Sequence, residues 1–102
     1  MKVISTQELQ TLLELGKQVN IIDVREASEV AGGKIPGAVN MPLGLLEFKM
    51  NELDKSEEYY VNCQAGGRSG SACKFLDYQG YKVINVEGGM NAWAGDIERI
   101  DD

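Results

Sequence analysis

The chain has 102 residues, 43% of them apolar and 25% charged, which suits one compact domain with one core and neither a disordered nor a membrane-embedded chain. Ten Lys and Arg stand against sixteen Asp and Glu, a net charge of −6 that argues against nucleic acid or anionic lipid as a partner, so any anion needs a local site. There is no histidine, and the two cysteines, Cys63 and Cys73, are too far apart in sequence for a CxxC pair, which excludes Ser-His-Asp and Cys-His activation and leaves no metal site expected.

The opening residues MKVISTQELQ lack the apolar core of a signal peptide. No apolar run nears the ~18 residues of a membrane span, so a cytoplasmic single domain over residues 1–102 is expected, with no membrane partner. Ser5 and Glu8 read as a capping box that opens an amphipathic helix over residues 6–15, with Leu9, Leu12 and Leu13 on one face and Gly16 at its end. Val19, Ile21, Ile22 and Val24 form a short apolar run suited to a strand covered on both faces. A brief helix over residues 27–31 runs into Gly32-Gly33, and residues 38–41 read as a second strand between Pro36-Gly37 and Pro42. Leu45, Leu46, Phe48, Met50 and Leu53 form an imperfect helical stripe.

Tyr59, Tyr60 and Val61 have strong strand propensity and lead through Asn62 to Cys63, after which the chain must turn. A helix is expected from Ser69, with Ala72, Phe75 and Leu76 inward and Gly80 past its end. Residues 83–86 form the next strand, and after Gly88-Gly89 a short helix covers residues 91–94. Strands alternating with helices at this spacing predict an α/β domain with a mainly parallel sheet, whose sites lie at the carboxyl ends of its strands. Cys63 falls at such an end.

The segment Cys63-Gln64-Ala65-Gly66-Gly67-Arg68-Ser69 is therefore a strand end, a loop with adjacent glycines, and a helix start. Such a loop can turn its N–H groups toward one point beside the positive end of a helix dipole, forming an anion nest. A thiol there ionises readily, because helix N-termini and nearby cations lower thiol pKa to roughly 3.5–7.5 in known cases. The stretch from Tyr59 to Leu76 contains no Asp or Glu but holds Arg68 and Lys74, so a locally positive site is expected in an acidic chain. Cys63 is the candidate nucleophile, and Gln64, Ala65, Gly66, Gly67, Arg68 and Ser69 are the candidate substrate-binding residues. Asp23 and Arg25 read as an ion pair at a strand end, and Cys73 and Trp93 as packed core residues.

The loop resembles that of the rhodanese (thiosulfate sulfurtransferase) family, whose pattern C-x-x-G-x-R-S is matched by Cys63, Gly66, Arg68 and Ser69. Ile22-Asp23-Val24-Arg25-Glu26 with residues 33–40 (GKIPGAVN) is similar to the family's amino-terminal signature, and residues 87–93 (EGGMNAW) to its carboxy-terminal one. The resemblance spans about Val3 to Ile97 and implies a rhodanese-like α/β fold, a five-stranded mainly parallel sheet with helices on both faces. It also implies that Cys63 takes the outer sulfur of thiosulfate as a persulfide and passes it to cyanide or a thiol. No metal or organic cofactor is implied, only the covalent sulfur on Cys63.

In that scheme the backbone N–H groups of residues 64–69 stabilise the thiolate and persulfide, while Arg68 binds the incoming sulfonate or braces the loop. Related cysteine phosphatases carry one residue more between cysteine and arginine than the four found here, which disfavours a phosphatase or arsenate reductase. Lys34 stands where family members commonly have histidine, a residue taken as structural. Two other readings stay open: a sulfur relay fed by a protein partner, and a non-catalytic binding module that keeps the fold.

Overall fold

In the computed structural model, which describes residues 1–100, five short segments pair into one sheet. The last two residues of the expected 1–102 domain lie outside the described residues. The strands are β1 (Lys2–Ser5), β2 (Asn20–Asp23), β3 (Val39–Asn40), β4 (Glu58–Asn62) and β5 (Lys82–Glu87). They are hydrogen-bonded in the order β1-β5-β4-β2-β3, every pair parallel. The register pairs Asp23 with Asn62 and Val61 with Asn85, so the exits of β2 and β5 flank that of β4.

Strand alternation sorts the apolar residues into two cores. Ile22, Val24, Val61, Cys63 and Val83 face Ala72, Cys73 and Leu76 of α4 (Gly67–Tyr78), together with Leu46 of α3 (Leu46–Lys49). On the other face Ile21, Val86 and Ile35 meet Leu9 of α1 (Thr6–Glu14), with Met90 of α5 (Gly89–Ala92) and Trp93 at the edge. The remaining helix, α2 (Ala27–Ala31), lies between β2 and β3 in the chain. Helices thus cover both faces, as the sequence led one to expect, and among the described residues no helix is long and apolar enough to cross a membrane.

The amino-terminal helix is written locally and forms as written. Ser5 Oγ accepts from the Glu8 amide at 3.0 Å, and the Glu8 carboxylate accepts from the Ser5 amide at 3.1 Å, the two halves of a capping box. At its far end Gly16, with φ 75°, lets the Gly16 and Lys17 amides bond back to Leu13 and Leu12, a Schellman termination.

Elsewhere the structure corrects the expected elements. β1 was not foreseen, because it is a four-residue edge strand with two exposed positions and so has no burial periodicity to read. The stripe from Leu45 to Leu53 does not form one helix; α3 is a single turn between the 3-10 turns Leu43–Leu45 and Met50–Glu52. The major helix starts at Gly67 rather than Ser69, and α5 starts at Gly89 rather than Asn91. In both cases a left-handed glycine stands at the N-cap, Gly66 at φ 106° and Gly88 at φ 84°, and no side chain caps the helix.

Candidate active site

Cys63 follows directly on β4 and its side chain is 1% exposed, so its sulfur lies at the floor of the loop. The left-handed turn at Gly66 points that residue's amide back at the sulfur, with N···Sγ 3.0 Å. Gly67 has an ordinary backbone conformation and is already the first residue of α4, so only one of the two adjacent glycines is needed for its φ. Ser69, fully buried in the first turn of α4, places Oγ 3.3 Å from Cys63 Sγ and donates to the Gly66 carbonyl at 3.1 Å.

A hydroxyl has one proton, so the two contacts of Ser69 describe a switch. While Cys63 is a thiol, its S–H donates to Ser69 Oγ and the hydroxyl proton goes to Gly66 O. When Cys63 ionises, the hydroxyl turns to donate to the sulfur. Burial pushes the thiol pKa up, but the Ser69 hydroxyl and the amides of Ser69, Gly66 and Ala65 outweigh it and hold Cys63 below the ordinary thiol value. The positive end of α4 acts in the same direction. Cys73 lies in the same core, and burial, then the charges of Asp77 and of ionised Cys63, push it up to about 12. It stays a neutral, inert thiol.

Two arginines, Arg25 at the exit of β2 and Arg68 in the first turn of α4, tie the loop to β2 and α2. Arg25, 3% exposed, forms a buried pair with Asp23 at 2.9 Å. It also donates to Gly33 O at 2.7 Å and to Gln64 Oε1 at 3.2 Å. Gln64 completes the bridge by donating to Asn91 Oδ1 at 2.7 Å. On this side the α5 amides of Met90 and Asn91 donate to the Cys63 and Gln64 carbonyls, both at 2.9 Å. Arg68 turns toward α2 and makes a bidentate pair with Glu29, at 2.7 and 2.9 Å.

The residues expected at the site thus divide in three. Ala65, Gly66 and Ser69 converge on the sulfur; the side chains of Gln64 and Arg68 are engaged with the loop's flanks; Gly67 is an exposed helix start. Arg68, a cation of the expected positive stretch, is paired by a carboxylate from another part of the chain, Glu29, while Arg25 and Asp23 form the ion pair the sequence led one to expect. The sequence reading passed over Glu29, and it placed Gly89 and Asn91 in the carboxy-terminal signature without giving either a part in the site. Glu29 lies between two quoted signature segments and could have been found as a carboxylate one helical turn beyond Arg25.

Lys34 donates to Ala38 O at 2.6 Å and pairs with Glu98 at 3.1 Å, which ties down the segment between α2 and β3 without reaching the sulfur. Trp93 packs at the edge of the α1-side core and donates its indole N–H to Asp96 O at 2.8 Å. The cleft of about 450 Å³ beside Trp93, Pro36 and Leu13 includes none of residues 63–69, so the candidate site is marked by Cys63 and its donors rather than by that cleft. No group of three or more His, Cys, Asp or Glu side chains is placed to hold a metal among the described residues.

Comparison with known proteins supplies an independent line. The sequence profile described as "Rhodanese-like domain" matches residues 5–96. YtwF of Bacillus subtilis, provisionally named a sulfurtransferase, is 49% identical over 97 residues, covering 95% of this chain and 94% of that protein. YrkF of the same organism, provisionally named a sulfur carrier protein, is 41% identical over 93% of this chain but only 52% of its own length. Among solved structures, a rhodanese-like domain protein from Staphylococcus aureus superposes with a TM-score of 0.91 at 40% identity, covering 97% of this chain and 98% of that one.

Proposed function

The chain belongs to the rhodanese-like domain family, and on that premise we propose that it moves a sulfane sulfur from thiosulfate, or a similar donor, to a thiophilic acceptor through a persulfide on Cys63. The observation that carries this reading is the Cys63 sulfur itself, held by the Gly66 amide at 3.0 Å and by Ser69 Oγ at 3.3 Å. These donors stabilise a thiolate before reaction and a persulfide after it, without a histidine.

In the first half-reaction the Cys63 thiolate attacks the outer sulfur of thiosulfate. The new S–S bond forms as the bond to the sulfonate sulfur breaks, and that electron pair leaves with sulfite. The product, Cys63-S-S⁻, is one sulfur longer and presents its terminal atom to the mouth of the loop. In the second, cyanide or a thiolate attacks that atom, giving thiocyanate or a new persulfide and restoring the Cys63 thiolate. No proton has to be moved by a side chain in either step, which fits a histidine-free chain. Arg68 contributes by bracing the loop through Glu29, and Arg25 by fixing Gln64.

A partner-fed relay is the second reading, favoured by the similarity to YrkF, whose name describes a sulfur carrier and whose length is about twice the matched part. The same persulfide serves both readings; only the donor and acceptor differ.

Intact-protein mass after exposure to thiosulfate tests the proposal. One added sulfur on the wild type, removed by cyanide and absent from Cys63→Ser, is the expected result, with Cys73 contributing nothing because its thiol stays protonated. No added sulfur from thiosulfate, but addition from a persulfide donor, overturns thiosulfate as the donor while leaving transfer through Cys63 in place. No added sulfur from either, with Cys63 reduced, overturns sulfur transfer and leaves a binding module.

A further inference from the structure

The pairing of Arg68 bears on the charge of the donor that the loop accepts. Thiosulfate is a dianion, and the loop's only arginine is the natural counter-charge for its sulfonate. Yet both terminal nitrogens of Arg68 are taken by the two oxygens of Glu29, at 2.7 and 2.9 Å. The guanidinium still lies near enough to Cys63 to feel its charge. Glu29 is itself fixed, since the same Oε1 that meets Arg68 accepts from the Glu26 amide at 3.0 Å. Arg68 holds its carboxyl down at about 2, so Glu29 is ionised throughout the neutral range. The second cation beside the loop, Arg25, is likewise committed to buried Asp23. A sulfonate approaching the sulfur therefore meets amide N–H groups, a neutralised arginine and the edge of a carboxylate.

We infer that Glu29 is a specificity-determining residue that withholds Arg68 from anionic donors, so the loop favours sulfane donors of lower charge, such as alkyl persulfides, over the thiosulfate dianion. The inference rests on the sulfur-transfer reading of the same site. An alkyl persulfide loads Cys63 by the same displacement: the thiolate attacks the outer sulfur, the S–S bond of the donor breaks, and an alkyl thiolate leaves in place of sulfite.

Glu29→Gln isolates the charge, because the amide oxygen can still accept from the Glu26 N–H while the ion pair with Arg68 is lost. The pair is about one-third exposed, so its removal is expected to change anion affinity about three- to fivefold, the range of a partly solvated ion pair. Loading of Cys63 is followed by intact mass with thiosulfate and with the persulfide of 2-mercaptoethanol, on wild type and Glu29→Gln. The expected result is a thiosulfate KM lowered about three- to fivefold in Glu29→Gln, with the persulfide KM changed much less.

A second measurement avoids turnover and any change in thiolate reactivity. Calorimetric titration of thiosulfate into Cys63→Ser and into Cys63→Ser with Glu29→Gln should show tighter binding in the latter by the same factor, with circular dichroism confirming that both variants are folded. An unchanged or raised thiosulfate KM, or equal shifts for both donors, overturns the role of Glu29 while leaving persulfide transfer intact. If neither donor adds sulfur to wild-type Cys63, the transfer reading falls and the inference falls with it.

Discussion

Gly89→Ala is the sharpest structural test of how the loop is held. Gly89 sits at φ 54° at the start of α5, where its missing side chain lets the backbone of Cys63 and Gln64 pass. A Cβ built there lies 2.3 Å from the Cys63 carbonyl oxygen and 2.7 Å from the Gln64 carbonyl carbon and oxygen. These are backbone atoms, which cannot swing aside as a flexible side chain does, and ordinary contact begins at 3.4 Å, so the loop and α5 must separate by about 1 Å. That movement stretches the Met90 and Asn91 hydrogen bonds to the same two carbonyls. Left-handed strain on alanine costs about 1 kcal/mol and each weakened bond about 1 kcal/mol, so a total loss of about 3 kcal/mol is expected. For a chain of this size that corresponds to a fall in Tm of roughly 15 °C.

The assay is thermal unfolding by circular dichroism, paired with the rate of Cys63 alkylation by iodoacetamide at 25 °C. Gly67→Ala is the matched stability control: its φ is ordinary and an added Cβ meets nothing within 4 Å, so its Tm should hold or rise. Gly89→Ala should both melt early and alkylate at an altered rate, because the carbonyl being pushed belongs to Cys63 itself. A Gly89→Ala protein within about 3 °C of the wild type, with unchanged alkylation, would refute the close approach and the magnitudes built on it.

Two further outcomes follow from the same geometry. Cys63 is held below the ordinary thiol value in part by the Ser69 hydroxyl, so in Ser69→Ala its thiolate forms only at higher pH. The alkylation–pH midpoint should then move up and the rate at pH 7 fall, while the two proteins converge above the wild-type and variant midpoints; coincident profiles would exclude Ser69 as a thiolate donor. Arg25→Met leaves Asp23 buried without its cation and frees Gln64, a change expected to cost about 3–5 kcal/mol in urea unfolding at neutral pH. A loss below about 1 kcal/mol would mean that the pair is not the buried clamp described above.

Much of the site was legible in the sequence because its chemistry is local. Cys63, the left-handed glycine, and the serine in the first turn of α4 lie within seven consecutive residues, and the helix dipole that helps them belongs to the segment that follows. The capping box of α1 and the α/β alternation were readable for the same reason, since spacing and burial period are properties of short windows. The strand β1 was not, because an exposed four-residue edge gains its identity only from the register of β5 beside it.

The sequence by itself singled out the candidate nucleophile, its loop and the family resemblance; the electrostatic environment was decided by tertiary structure. The stretch around Cys63 has no carboxylate of its own, yet Glu29 is carried in from α2 and pairs with Arg68, the arginine of the expected cationic stretch. The contact that clamps the loop, Gly89 against the Cys63 carbonyl, likewise joins residues that only the parallel neighbours β4 and β5 bring together. Short-range geometry is encoded by adjacent residues, whereas charge acts through space and its balance depends on which strand ends the fold sets side by side.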